Sequence, residues 1–143
     1  MNEDSVNLLK ECNAGCKSAT SSMEQVMEYV KDQKLLSLIK EYNDKHIKIG
    51  DECHYYLNEA NENEKDPNRL AMVMAEMGTG MKLTIDDSIN KIASVLIDGC
   101  NMGVKSLTEY LNKYVAADEN SKLLTHKLIN IEEEFRRDLL TFL

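Results

Sequence analysis

Gly99-Cys100-Asn101-Met102-Gly103-Val104-Lys105-Ser106-Leu107-Thr108 has a second copy in the same chain, at Cys12-Asn13-Ala14-Gly15-Cys16-Lys17-Ser18-Ala19-Thr20. The shared order is Cys-Asn-x-Gly-x-Lys-Ser-x-Thr, displaced by 88 positions, with six identities in nine residues. Lys34-Leu35-Leu36-Ser37 matches Lys122-Leu123-Leu124-Thr125 at the same offset. A one-residue shift beyond that point brings His46 opposite Phe135. Internal duplication is the simplest cause of such self-similarity. It divides a single domain, residues 1–143, into like halves at about 4–61 and 85–142, with a crossover at about 62–84.

The apolar residues around the repeat follow the rhythm of a helix face. Leu9, Cys12, Cys16, Ala19, Met23, Val26 and Val30 alternate spacings of three and four, which makes one stripe on one helix. Asp4 or Ser5 is the expected cap of that first helix, and Asp32 of the second. The second stripe runs through Leu35, Ile39, Tyr42, His46, Ile49, Cys53, Tyr56 and Ala60. The third helix, opened by Asp86 or Asp87, carries Ile89, Ile92, Leu96, Gly99, Gly103, Leu107, Tyr110 and Tyr114. Gly99-x3-Gly103 lets another backbone approach at that level, by the steric logic of small-xxx-small pairs. Ala116-Ala117-Asp118 makes the last turn, and Leu124, Leu128, Ile131, Phe135, Leu139 and Phe142 point inward from the fourth helix. Glu132-Glu133-Glu134 is expected to face largely outward.

Between the halves, Asp66-Pro67 is a cap with a first-turn proline. It starts a shorter helix to about Leu83, with Leu70, Met74, Met77 and Met81 on one side. Four long amphipathic helices, with short links inside each pair and a long crossover between pairs, define an all-α, ferritin-like four-helix bundle. Its helices run up-down-down-up, with an extra short helix in the crossover.

Composition narrows the function classes. The chain has 17 basic and 25 acidic side chains, a net charge of −8. An acidic surface repels a phosphate backbone, so nucleic acid is not an expected partner. The longest apolar runs are too short to span a bilayer. The acidic start Met1-Asn2-Glu3-Asp4 does not resemble a secretion or import leader, and four cysteines in such a chain are expected as free thiols. The expected setting is cytoplasmic. The sequence holds no nucleophile–base set, phosphate-cradling glycine loop or nucleotide fingerprint.

Di-iron bundles use a Glu from each of two helices and a Glu-x-x-His from each of the other two. Residues three apart share a helix face, so carboxylate and imidazole reach the same metal pair. Here the second helix has Asn43-x-x-His46 and the fourth has Glu132-x-x-Phe135, so each keeps half of the motif. The first and third helices present Cys12, Gly15 and Cys16, and Gly99, Cys100 and Gly103, with no central glutamate in the seam. No metal or other cofactor is therefore expected. The candidate ligands, should one bind, are His46, Cys12, Cys16, Cys100 and Glu132. Thiols and imidazole would favour zinc over a di-iron pair. Each residue also has a structural reading: His46 as a core histidine bonded to a neighbour, the cysteines as small apolar core residues.

Asp98-Gly99-Cys100-Asn101-Met102-Gly103-Val104-Lys105-Ser106-Leu107, together with Lys113-Tyr114-x-Ala116-Ala117-Asp118, resembles an uncharacterised family of bacterial ferritin-like four-helix proteins, typical of clostridia and related anaerobes. The resemblance covers nearly the whole chain. It implies the fold and a bacterial cytoplasmic setting, and carries no activity. The reading that follows is a non-catalytic ferritin-like bundle acting as a binding or interaction module, with a homodimer through Met74 and Met77 of the crossover. Two alternatives belong to other classes. One is a metal protein, iron or zinc, with a modified ligand set. The other is a thiol-based metal or redox sensor using Cys12, Cys16 and Cys100.

Overall fold

The computed structural model describes residues 1–63 and 87–143, which form four long helices and no strand. They are α1 (Glu3–Met27), α2 (Gln33–Glu59), α3 (Ile89–Lys113) and α4 (Glu119–Leu139), the last followed by a single 3-10 turn, Leu140–Phe142. The crossover helix, its Asp66-Pro67 start and the Met74–Met77 face lie outside the described residues.

Each helix starts on a side-chain cap that satisfies an otherwise orphaned backbone N–H. Asn2 accepts from the Ser5 N–H, Asp32 from Leu35, Ser88 from Lys91 and Asp118 from Ser121. Asp32 is the expected cap, whereas Asp118 was expected only as part of the turn before the fourth helix. The first and third caps are Asn2 and Ser88, not Asp4, Ser5, Asp86 or Asp87. In both cases a short polar side chain one to three residues from the expected one captures the free N–H. α2 ends differently. Asn61 takes a left-handed φ of 56°, a conformation asparagine tolerates. The Glu62 N–H then reaches back to the Leu57 carbonyl at 2.9 Å, and the Asn61 N–H to Asn58 at 3.0 Å, closing a Schellman motif. The turn brings Glu62 to 3.3 Å from Lys10 on α1.

Polar contacts fix the helix directions. The Asn2 amide donates to the Ala116 carbonyl at 2.8 Å, Asp4 accepts from the Ala116 N–H at 2.9 Å, and the Ser5 hydroxyl accepts from the Asp118 N–H at 2.7 Å. The start of α1 thus sits on the α3–α4 turn. At the opposite end Lys31 lies 3.7 Å from Asp87. α1 therefore runs antiparallel to α3 and parallel to α4. Tyr42 donates to Asp138 at 2.6 Å, and Lys45 lies 3.9 Å from Glu134, so α2 and α4 are antiparallel. α1 packs most extensively on α2 and α3 on α4, while α4 also touches both α1 and α2.

The apolar stripes fill two core clusters. One holds Met23, Val26, Leu35, Ile39, Tyr42, Ile92, Leu96, Cys100, Phe135 and Leu139. The other holds Leu9, Cys12, Cys16, Ile49, Cys53, Leu57, Leu107, Leu124 and Leu128. Burying each large aliphatic side chain contributes about 1.5–3 kcal/mol. Ile89, Tyr110 and Tyr114, expected in the seam, are outside both clusters. Ile89 is 40% exposed, because it is the first residue of α3. Tyr110 and Tyr114 are half-buried and stack on each other at 6.3 Å near the bundle end. No helix among the described residues is long and apolar enough to cross a membrane.

Asp118 ties two elements, capping α4 through Ser121 and donating its own N–H to the Ser5 hydroxyl. Burial opposes its ionisation, but the hydrogen bonds from Ser121 and Ser5 outweigh that and hold its carboxyl below the usual range. Asp118→Ala should lower stability by about 1 kcal/mol, the usual cost of losing a cap, measured by urea unfolding. The difference from wild type should be full above the ordinary carboxylate range and shrink as pH falls through the depressed value.

Candidate functional site

The residue that breaks the apolar pattern of α2 is His46, which is 1% exposed. The α2 stripe fixes its direction. With Tyr42 one turn before it and Ile49 after it, the ring can only point into the bundle. Its Nδ1 lies 2.6 Å from the Tyr42 carbonyl, and its Nε2 bonds the Glu132 carboxylate on α4. Both ring nitrogens therefore face oxygens that can accept, which the imidazolium satisfies by donating twice. Burial alone would lower the imidazole pKa. The bond and charge of Glu132, helped by the Tyr42 carbonyl, outweigh burial and raise it above the ordinary value. The contacts of His46 therefore favour its protonated form in the middle of the bundle.

Glu132 was expected to face outward with Glu133 and Glu134. It is 7% exposed, whereas its two neighbours are exposed. The reason lies in the α4 spacing: Leu128, Glu132, Phe135 and Leu139 are four, three and four apart, so Glu132 occupies a seam position that Ile131 only flanks. Its Oε2 would lie 3.1 Å from a Cβ built on Gly103. Gly103 is small because a carboxylate fills the space beside it.

The pair has a further neighbour. Cys100 on α3 is hydrogen-bonded to Glu132; burial first, then the Glu132 charge, pushes its thiol well up. Tyr42 stacks on Phe135 with ring centroids 4.6 Å apart, and burial with its bond to Asp138 raises its phenol. Asn43, at the place of the missing carboxylate, is buried, and its Oδ1 has no hydrogen-bond partner among the described residues.

The remaining candidate ligands lie elsewhere. Cys12 and Cys16 belong to the other core cluster, where Cys12 is hydrogen-bonded to Cys16 and to Cys53. Cys53, a member of the α2 stripe, is fully buried. The bond to Cys16 and burial raise Cys12, and the bond to Cys12 and burial raise Cys53. All four cysteines are free and buried. Protonated thiols are poor nucleophiles. The candidate ligands are therefore divided: Cys100 stays with His46 and Glu132, and Cys12 and Cys16 join Cys53. Among the described residues, no three His, Cys, Asp or Glu side chains converge closely enough to hold one metal ion.

The His46–Glu132 pair forms the floor of a half-open cleft of about 130 Å³ between α1 and α3. One wall is Ala14, Gly15, Ser18 and Ala19 of α1, and the facing wall is Gly99, Gly103 and Ser106 of α3. Gly15 and Gly103, like Ser18 and Ser106, are equivalent residues of the two repeat copies. The duplicated stretch thus supplies both walls. Leu96, Leu107, Leu128 and Phe135 give the interior its apolar character. One charged lining residue escaped the sequence reading. Glu11 lines the cleft and is 7% exposed. It stands one position before Cys12 in the α1 stripe, so its seam spacing to Gly15 was the available signal.

No protein-family model, curated protein or solved structure matches this chain.

Two measurements check this geometry. The His46 imidazole, followed by NMR, should titrate above the ordinary 6.5 in wild type and below it in Glu132→Gln, where burial acts without the opposing charge. Its stabilising share is complete below the ordinary value and fades as pH rises through the raised one. Separately, alanine in a helix gains about 1 kcal/mol over glycine. Gly15→Ala, whose Cβ would meet Leu128 at an ordinary 3.8 Å, should show most of that gain in thermal unfolding. Gly103→Ala should lose it or become destabilising, because Glu132 is pinned by His46.

Proposed function

We propose that this chain is a non-catalytic bundle of the ferritin-like kind that binds a small molecule in the α1–α3 cleft, in a cytoplasmic setting that keeps its thiols reduced. The observation that carries this reading is the place of the duplicated motif. Gly15 and Ser18 stand opposite Gly103 and Ser106, so small residues occupy both sides of a gap that bulkier ones would close. A mostly apolar cleft with a few convergent polar groups and a shifted titratable residue is the usual form of a binding site. The antiparallel pairs α1–α2 and α3–α4, with α1 parallel to α4, agree with ferritin-like winding.

The chemistry of the floor favours binding over catalysis. Cys100 is a protonated thiol, and the imidazole of His46 is held at both nitrogens. A metal centre is the second reading, because Glu11, His46, Cys100 and Glu132 all line one cleft. Metal entry would require His46 to lose its proton and leave Glu132. Stoichiometric iron or zinc in protein purified without a metal-affinity tag would replace the first reading by the second.

The binding reading is tested with small apolar probes, benzene and 1-hexanol, followed by backbone amide NMR. Saturable shifts should centre on Gly15, Gly99 and Gly103. Ala19→Leu, which fills the cleft from α1, should weaken them at least about tenfold while leaving the helical circular dichroism intact. Shifts that are absent, or that survive this substitution unchanged, would remove the cleft as a binding site.

A further inference from the structure

We infer that the cleft takes an uncharged, apolar ligand, a single ring or a short chain. Ions of either sign are turned away, because the His46–Glu132 pair already fills the charged place at the floor. This inference rests on the cleft being a binding site and names the ligand class it would take.

Three observations support it. The first is that the polar lining is already engaged. His46 is bonded to Glu132 and to the Tyr42 carbonyl, and the Cys100 thiol is hydrogen-bonded to the same carboxylate. Glu11, Ser18, Ser22 and Tyr110 each have an interaction partner within the protein. Ser106 is only half-buried, so solvent already reaches it. Among the described residues, the buried side-chain polar atoms that lack a partner are Asn43 Oδ1 and Ser121 Oγ, and neither residue lines the cleft. A polar ligand entering this space would therefore lose hydration without gaining a replacement hydrogen bond.

The second is charge. With the imidazole protonated, the form its contacts favour, the His46–Glu132 pair has no net charge. A ligand cation would meet the imidazolium, and a ligand anion would meet the carboxylate, in an interior that screens like charges poorly. Glu11 has its own partner, so it gives a cation no bare carboxylate in place of water. No lysine or arginine is among the described lining residues to receive an anion.

The third is surface and size. What a ligand would touch is mostly carbon, supplied by Ala14, Ala19, Met23, Leu96, Leu128 and Phe135. The cavity measures about 130 Å³. For scale, an engineered apolar cavity of about 150 Å³ stays dry and holds one benzene. A single ring or a short chain fits, and a fused ring system does not.

The test uses four one-ring probes, toluene, benzyl alcohol, benzylammonium and benzoate, titrated at neutral pH and followed by amide NMR. Toluene should bind at least about tenfold more tightly than benzyl alcohol, the scale of burying a hydroxyl without a partner, with both ions weakest. His46→Ala takes the imidazole off the Glu132 carboxylate. There benzylammonium should tighten at least about tenfold over wild type, while benzoate stays weak. Should that variant fail to fold, His46→Gln, which keeps a neutral donor beside the carboxylate, is read in the same way. Benzyl alcohol equal to toluene, or either ion binding as tightly as toluene, overturns the inference and leaves the cleft standing. Benzylammonium unchanged in the folded variant overturns the role of the pair. No shift at Gly15, Gly99 or Gly103 with any probe overturns both readings.

Discussion

The bond between His46 and Glu132 is the constraint around which the middle of this bundle is arranged. A charged imidazole and a carboxylate buried together are tolerable only when each completes its hydrogen bonds within the protein. That requirement fixes the Tyr42 carbonyl as the second acceptor and places the Cys100 thiol beside the carboxylate. It also accounts for the absence of a side chain at Gly103, where the carboxylate lies. Four helices contribute to this layer or to the cleft above it, so the pair sets the register of α2 against α4. Replacing one member alone would leave an uncompensated buried charge, a change that typically costs about 3–5 kcal/mol.

The duplication gives the layer its meaning. With the one-residue shift, Asn43 corresponds to Glu132 and His46 to Phe135. Each half holds one residue type of a Glu-x-x-His pattern, and these two residues bond across the bundle. The donors that would face a metal pair in a complete set satisfy each other instead. The other duplicated feature, the glycine and serine positions of α1 and α3, lines both sides of the cleft, with Glu132 filling the space beside Gly103. One half of the repeat has been used for closure and the other for access.

Much of the architecture was legible in the sequence, because apolar spacing of three and four reports a helix face directly. The four long helices, with the Asp32 cap between the first two, and the inward direction of His46 follow from that spacing. What escaped were residues whose role depends on another helix. Glu132 sits in an acidic triplet that reads as a solvated face, and only the partner on α2 explains its burial. Glu11 hides in the same way beside Cys12. The split of the thiols between Cys53 and Glu132 is likewise a matter of rotation of one helix against the next. Helix periodicity fixes a face to within a third of a turn, which is too coarse for such assignments.

The contact between the start of α1 and the α3–α4 turn has a consequence for how the protein opens. Asn2, Asp4 and Ser5 satisfy backbone groups of Ala116 and Asp118. Fraying at the first helix therefore exposes amides of a turn more than a hundred residues away in sequence. In hydrogen exchange, these two segments would lose protection together as a single cooperative unit. The ordinary independence of a chain's first turn does not apply here.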